Sequence, residues 1–589
     1  MSVDIQNLSV KFGNVSILNN VTLRIEDGER VGLIGSSGSG KSMLIRAITG
    51  LLPSNAEVSG SCMLGNIQTV KAKEESLANL RGKYVGVVFQ QANRALNPLL
   101  TVEQQVSLPL RIHYRLNADD VHNRVISMLE KVGLSSKLAS KRTFELSGGQ
   151  QQRVGIATAL ITSPRLILAD EPTTALDSVT QSEVVRMLTS LVDDMGASML
   201  FVTHDFSVLS RAANRCYVLD AGRVIDSENV KNLLDNPRIS STKQLVDAAR
   251  KLTLRAQNLG SLNEGSDLDS LRAGSDLSTD LGSDSTSENK GTDLGSDLGS
   301  LSASSVNESS ASASSKKSNT GNASSVENAL ITAKNVHVIL GSAKNRLEVL
   351  KGIDAHVCAG ESLAIIGGSG SGKTTLIRAM LGLETLCEGN VTYCGEVVNN
   401  PNLSKVNKNA YTLIRRESSL VFQHPFAALD PRWTVRESVA EPLKIWRKQL
   451  NIDAETINNK VDETLKLVGL NPSVFAKRYP HELSGGQAQC VAIARALINN
   501  PRVLVADEPM SAIDVAERIR ILDAFARIRS ERKNMACVFV SHDLGMIGHL
   551  ATRVMVINEG KLVESGRVSD VLNNPKHSYT QALVNAAIM

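Results

Sequence analysis

The sequence predicts an α/β chain in which one phosphate-binding unit is written twice. Three observations carry that prediction. Gly35, Ser36, Ser37, Gly38, Ser39, Gly40, Lys41 and Ser42 have the form G-x-x-x-x-G-K-[ST], with an apolar run over 30–34 before them and a helical pattern over 43–48 after them; strand, glycine loop and helix in that order make a phosphate cradle. The loop recurs as Gly367, Gly368, Ser369, Gly370, Ser371, Gly372, Lys373 and Thr374. Other landmarks recur at a slowly drifting offset, 332 positions between Lys41 and Lys373 and 338 between His204 and His542. That spacing is far too long for a solenoid and marks a duplicated domain. The predicted boundaries are 1–252 for the first domain, 253–328 for a linker and 329–589 for the second domain.

Composition narrows the class. Of 589 residues 42% are hydrophobic and only 3% aromatic, so the cores are aliphatic. No apolar stretch approaches the roughly 18 residues that span a bilayer, and the chain opens without a signal-peptide pattern. A cytosolic protein is expected, with any membrane role carried by separate partners. Cys62, Cys216, Cys358, Cys387, Cys394, Cys490 and Cys537 form no C-x-x-C pair and are expected to be reduced and mostly structural. The net charge is +4, too mild to argue for nucleic-acid binding. Residues 259–300 hold nine acidic and two basic side chains, a net of −7 that leaves +11 on the remainder. That excess suits an anionic ligand or an acidic membrane surface, and equally an ordinary solvated surface. The linker repeats Gly-Ser-Asp-Leu at 265–268, 274–277 and 295–298 and turns serine-rich. It cannot bury enough apolar area to offset its ordering entropy. It reads as a disordered tether with a mean reach of about 45–50 Å, or alternatively as a regulatory or partner-binding segment.

In the first domain, alternating apolar and polar residues over 3–25 predict an antiparallel β front. Phe12 falls at its turn, placed either to stack on a nucleotide base or to be buried at the strand end. The phosphate loop follows, with Lys41 reaching the β- and γ-phosphates and the Ser42 hydroxyl a ligand for Mg²⁺. The run over 85–90 reads as a strand ending in Gln90, whose amide can reach a metal or water. Residues 103–142 predict a helical subdomain. Ser147, Gly148, Gly149 and Gln150 then open a helix, an anion site without a lysine that suits the second jaw on a nucleotide held elsewhere. The apolar run over 166–169 predicts a central parallel strand ending in Asp170 and Glu171. Asp170 would hold Mg²⁺ through water, and Glu171 would polarise the attacking water. An Ala-Leu-Asp turn follows at 175–177. A further apolar strand ends in His204, placed either to contact the γ-phosphate or to be a structural histidine.

Taken in order, phosphate loop, Gln90, Leu-Ser-Gly-Gly-Gln, strand with Asp-Glu, Ala-Leu-Asp and His204 resemble an ABC-type ATPase domain, and the signature at 146–150 is the element that other phosphate-loop ATPases lack. The second domain resembles the same family through Gln423, Ser484, Gly485, Gly486, Gln487, Asp507, Glu508 and His542. The resemblance implies a RecA-like core, an antiparallel β front and a helical subdomain in each domain, with ATP and Mg²⁺ as ligands. It implies head-to-tail pairing of the two domains. One ATP site would then combine Lys41, Ser42, Asp170, Glu171 and His204 with Ser484, and the other Lys373, Thr374, Asp507, Glu508 and His542 with Ser147. By the same resemblance Gln90 and Gln423 contact the metal. Two departures point to unequal nucleotide affinity: no aromatic stands at the place of Phe12 in the second domain, and Cys490 replaces Arg153.

Three further features resemble the ATP-binding subunits of oligopeptide, dipeptide and nickel importers, including those fused into one chain in glutathione and microcin C importers. These are the segments 89–102 and 422–435 after the glutamines, the Arg-Tyr-Pro-His-Glu run at 478–482, and the C-terminal segment 574–583, which contains His577 and Tyr579. Ile239 and Ser241 take the places of His577 and Tyr579 in the first domain. This branch implies a peripheral ATPase on the cytoplasmic face of the inner membrane, two integral membrane permease subunits and an extracytoplasmic solute-binding protein, with no nucleic acid. An exporter ATPase and a soluble tandem translation factor are the alternatives.

Overall fold

The computed structural model describes residues 2–36, 38–90, 92–173, 176–252, 329–341, 346–511 and 513–587. The linker at 253–328, together with Ser37, Gln91, Ala175 and Ala512, lies outside the described residues.

Each half carries two sheets. In the first half the core sheet runs Arg223–Asn229, Arg215–Asp220, Arg30–Ile34, Ser198–Val202, Leu166–Asp170, Val85–Val88. Its neighbours pair in parallel except for the antiparallel edge formed by Arg223–Asn229 on Arg215–Asp220. The second half repeats this as Lys561–Arg567, Arg553–Asn558, Ser362–Ile366, Ala536–Ser541, Val503–Asp507, Ser418–Val421. Strands covered on both faces need apolar residues throughout, and Leu166, Ile167, Leu168 and Ala169 are fully buried. Antiparallel front sheets, Val15–Ile25 with Val3–Phe12 and Glu57–Leu64, and Leu347–Cys358 with Ala329–Leu340 and Glu388–Tyr393, close one side of each core.

The predicted helical subdomain resolves into Val102–His113, Ala118–Lys131 and the signature helix Gly148–Leu160. Thr101 starts the first of these with a reciprocal capping box to Gln104, and Asn117 caps the second. Pairing of the Val85–Val88 strand stops at Val88 against Ala169, so Gln90 stands two residues beyond the strand end where the sequence placed it. Gln423 likewise follows Ser418–Val421.

The two halves exchange their terminal helices. Ser240–Leu252 of the first packs on Val515–Glu531 of the second, and Ser578–Ala587 of the second packs on Ser178–Asp194 of the first. One apolar cluster crosses the junction, with Ile34, Phe206, Leu209, Val246 and Ala249 from the first half joining Met510, Val515, Met546 and Leu550 from the second.

Candidate functional site

Topology brings the chemistry together. The parallel strands leading to Gln90, to Asp170 and Glu171, to His204 and to the phosphate loop are successive neighbours in one sheet, so their carboxyl ends form one rim. The second half lines up Gln423, Asp507, Glu508, His542 and its own loop in the same way.

Each phosphate loop ends on a glycine in the left-handed region, Gly40 at φ 105° and Gly372 at φ 103°. There any Cβ is strained, and each glycine begins a helix that no side chain caps, Lys41–Ile48 and Lys373–Met380. The free N–H groups and the helix dipole are left for an anion. Lys41 Nζ donates to the carbonyls of Gly35 and Ser36, each at 2.9 Å. Lys373 does the same to Gly367 and Gly368 at 2.8 Å. Burial pushes both ammonium groups down in pKa, against the pull of Glu171, Asp170 and Asp514 on Lys41 and of Glu508, Asp177 and Asp507 on Lys373. A phosphate would relieve that desolvation.

Beside each loop stands a carboxylate suited to a hard cation. Asp170 Oδ1 is buried without a partner; burial raises its pKa, with the Ser42 hydroxyl opposing. Thr374 donates its hydroxyl to Asp507 at 3.2 Å, and burial raises Asp507 likewise. A lone buried carboxylate oxygen next to a hydroxyl is an oxygen donor set of the kind Mg²⁺ takes, so the residues fit the metal.

The tightest constellation is Gln–Glu–His. Gln90 Nε2 donates to Glu171 Oε2 at 2.8 Å, and His204 Nδ1 lies 3.2 Å from Glu171 Oε1. The copy repeats this with Gln423 to Glu508 at 2.7 Å and His542 to Glu508 at 3.4 Å. Both glutamates sit at positive φ, 45° and 46°, a conformation that costs an L-residue about 1–3 kcal/mol. Their amides are anchored on the neighbouring strand, to Val202 at 3.0 Å and Val540 at 2.9 Å. Burial works to raise Glu508, but its hydrogen bond to His542 and the charges of His542, Lys373 and His424 outweigh it and hold the carboxyl low. The carboxylate is thus kept ionised, as an acceptor for a water proton must be.

The signature helices start at Ser147 and Ser484, each closed by a reciprocal capping box with Gln150 or Gln487. The Ser484 hydroxyl also donates to Glu517 at 3.3 Å.

Sequence reasoning noted the Ala-Leu-Asp turn without giving its aspartate a task. Asp177 caps the helix Ser178–Asp194 and also accepts from the Ser369 N–H of the opposite phosphate loop at 3.1 Å. Ser178 donates to the His542 carbonyl at 3.1 Å. In the other direction Arg518 reaches His204 Nε2 at 3.5 Å. A cavity of about 130 Å³ lies between the two histidines, with Gln181 and Arg518 on its wall. The signal for Asp177 was available, since Leu-Asp-Ser before an apolar helix marks a cap. Nothing local marks its second partner.

One expectation is corrected. Arg153 is engaged within its own half. It donates to the Val132 carbonyl at 2.9 Å and pairs with Glu183 at 3.0 Å, holding the turn at Gly133. In the second half Arg527, from a different helix, lies against the corresponding Gly469. The change to Cys490 therefore relocates a structural cation. Cys490 is buried, as are Cys62, Cys216 and Cys537. Phe12 ends its strand packed partly against the front core, and Leu340 ends the equivalent strand.

Among the described residues no helix is long and apolar enough to cross a membrane, and no cluster of three or more His, Cys, Asp or Glu side chains could hold a metal by itself. The chain is similar over its whole length to three transport proteins. It is 34% identical to the oligopeptide transport ATP-binding protein OppD of Mycobacterium bovis, covering 99% of this chain and 98% of that one. It is 31% identical to the peptidoglycan transport ATP-binding protein YejF of Agrobacterium fabrum (99% and 96%) and 30% identical to the glutathione import ATP-binding protein GsiA of Pectobacterium atrosepticum (99% and 89%). The family model described as ABC transporter matches twice, over 18–174 and 350–511, the segments that hold the two phosphate loops, glutamines, signatures and carboxylate pairs. The chain therefore belongs to the ABC transporter family and carries two of its ATPase domains.

Proposed function

We propose that this chain is the ATP-binding and ATP-hydrolysing subunit of an importer for peptides or a related small solute, working through separate permease subunits. The observation that carries the reading is the duplicated Gln–Glu–His constellation beside a phosphate loop, with Asp177 of one half bonded to the loop of the other. Whole-chain relatives named for oligopeptide, peptidoglycan and glutathione transport support the solute class and do not favour an exporter or a translation factor.

In this reading Lys41 and Lys373 leave their own loop carbonyls for the β- and γ-phosphates. The loop residues Gly35, Ser36, Gly38, Ser39 and Gly40, and their counterparts Gly367, Gly370, Ser371 and Gly372, offer backbone donors, while the Gly368 and Ser369 donors are engaged by Tyr579 and Asp177. Ser42 and Asp170, and Thr374 and Asp507, would hold Mg²⁺, which would neutralise developing phosphate charge; Gln90 and Gln423 would lie beside it. Glu171 and Glu508 orient the attacking water and accept its proton, with His204 and His542 keeping those carboxylates in place. Ser484, Gly485, Gly486 and Gln487 close over the Lys41 site, and Ser147, Gly148, Gly149 and Gln150 over the Lys373 site. ATP draws the pair shut, and product release opens it. Phe89, Leu99, Phe422, Phe426 and Trp433, exposed near the glutamines, offer an apolar docking ground for two permeases. The proposed location is the cytoplasmic face of the inner membrane, with an extracytoplasmic binding protein delivering the solute.

The test is affinity capture of the Glu171→Gln, Glu508→Gln chain from membranes solubilised with ATP and Mg²⁺. Two integral membrane permeases are expected. Ribosomes without membrane protein would overturn the importer reading.

A further inference from the structure

Two successive backbone donors of the second phosphate loop are taken by side chains from opposite parts of the molecule. Gly368 N–H donates to the Tyr579 hydroxyl at 2.6 Å, and Ser369 N–H to Asp177 at 3.1 Å. A Cβ at position 368 would lie 2.9 Å from the Tyr579 oxygen and 3.6 Å from Asp177 Oδ2, so glycine is what admits the tyrosine. Lys373 Nζ meanwhile holds the Gly368 carbonyl at 2.8 Å. This residue of the loop is thus gripped through its donor by the C-terminal segment and through its acceptor by the phosphate-binding lysine.

Tyr579 is itself fixed. Its N–H donates to His577 Nδ1 at 3.1 Å, and the N–H groups of Lys576 and His577 donate to Glu564 at 3.0 and 3.1 Å. It lies in the helix Ser578–Ala587, whose apolar face shares a cluster with Val179 of the first half. That helix rests on Ser178–Asp194, the helix capped by Asp177. Both acceptors on the loop therefore belong to one packed unit that spans the two halves. The first half is built differently, with Ser36 where Gly368 stands, Ser241 where Tyr579 stands and Ile239 where His577 stands.

We propose that Tyr579 is a positioning residue that sets the ATP affinity of the Lys373 site alone, tying it to the docking of the C-terminal helix on the first half. The hydroxyl holds the loop in its open-cradle shape while Lys373 exchanges carbonyls for phosphate. The proposal rests on the assignment of the Lys373 loop as an ATP site.

The experiment measures Mg²⁺-ATP binding to the full chain by calorimetry with one site silenced at a time. With Lys41→Ala the second site remains, and with Lys373→Ala the first. Tyr579→Phe, which keeps the ring and its packing, is expected to weaken binding about three- to tenfold in the Lys41→Ala chain, the worth of one net hydrogen bond, and to leave the Lys373→Ala chain unchanged. Equal shifts in both backgrounds, or none in the Lys41→Ala chain, would overturn it; a merely structural tyrosine would lower the melting temperature of both chains without a selective change in Kd. If neither lysine variant loses one equivalent of bound ATP, the site assignment itself falls, and the proposal with it.

Discussion

The two nucleotide sites differ least at their chemical centres and most at their rims. The Gln–Glu contacts, 2.8 and 2.7 Å, and the His–Glu contacts, 3.2 and 3.4 Å, agree within 0.2 Å, and both glutamates share the same strained φ. Around them the copies part. The Lys41 site faces the second half's helix Val515–Glu531, which brings Glu517 against Ser484 and Arg518 against His204. The Lys373 site faces Ser178–Asp194, where Thr180 and Gln181 occupy those places, and adds Tyr579 and Gly368. Divergence confined to the rim leaves the bond-breaking geometry intact and acts on how readily each site binds and closes.

The largest effect tests the shared centre. Glu171→Gln with Glu508→Gln is expected to lower steady-state ATP hydrolysis about 10²- to 10⁴-fold while nucleotide stays bound. Hydrolysis at the parent rate would remove the glutamates from the role the geometry gives them. The single variants sharpen the comparison, because unequal residual rates measure how unequally the sites turn over.

Arg518 is the next lever. A guanidinium has only donors to offer, so its approach to His204 Nε2 makes that nitrogen the acceptor and puts the proton on Nδ1, facing Glu171. This tautomer is assigned from its partners. Gln181, the counterpart, bonds Thr173 Oγ1 within its own half at 3.3 Å. Arg518→Gln would make the two rims alike and is expected to slow hydrolysis about tenfold, in the range of a lost charge-assisted hydrogen bond. Arg518 also holds the Ile513 carbonyl at 2.9 Å and Asp543 at 3.4 Å, so thermal melting must be followed alongside. An unchanged rate at unchanged stability would show that His204 needs no partner from across the junction.

Glu517 sets a smaller difference. Its carboxylate takes the Ser484 hydroxyl and is itself paired with Arg520 at 3.2 Å. It places an anion beside the signature serine proposed to close over the Lys41 site. Glu517→Thr, which copies Thr180, is expected to lower the ATP concentration for half-maximal hydrolysis about threefold, and Thr180→Glu to raise it by a similar factor. Identical ATP dependence in all three chains would mean that the signature serines do not approach the nucleotide.

The duplicated centre was legible in the sequence because it is built from short motifs at strand ends, and parallel topology forces successive strand ends into one rim. The apolar run over 166–169, the glycine loops and the Ser147 cap each carry a local physical signature. The rim was not legible. Ser369 and Asp177 are 192 positions apart, and His204 and Arg518 are 314 apart, and no periodicity links such pairs. Arg153 illustrates the cost of reading a site position by position. Its absence at Cys490 looked like a lost ligand cation, whereas Arg527 approaches the equivalent turn from another helix. Tyr579 was visible as part of a C-terminal motif, but its hydroxyl meets the loop only because Gly368 leaves room.

The last difference concerns the base. Phe12 and Leu340 end equivalent strands of the two front sheets, and Leu340 is 38% exposed with no aromatic neighbour in its strand Ala329–Leu340. An offset-stacked aromatic pair contributes about 0.5–1.5 kcal/mol beyond area burial. Leu340→Phe in the Lys41→Ala chain is therefore expected to tighten ATP binding about two- to tenfold, and Phe12→Leu in the Lys373→Ala chain to weaken it by the same factor. Because stacking reads the base and not the phosphates, inorganic triphosphate should bind each pair of chains alike. A triphosphate that followed the same shifts would locate the effect in the loop and not in the front sheet, and the two sites would then differ in their grip on phosphate instead of on adenine.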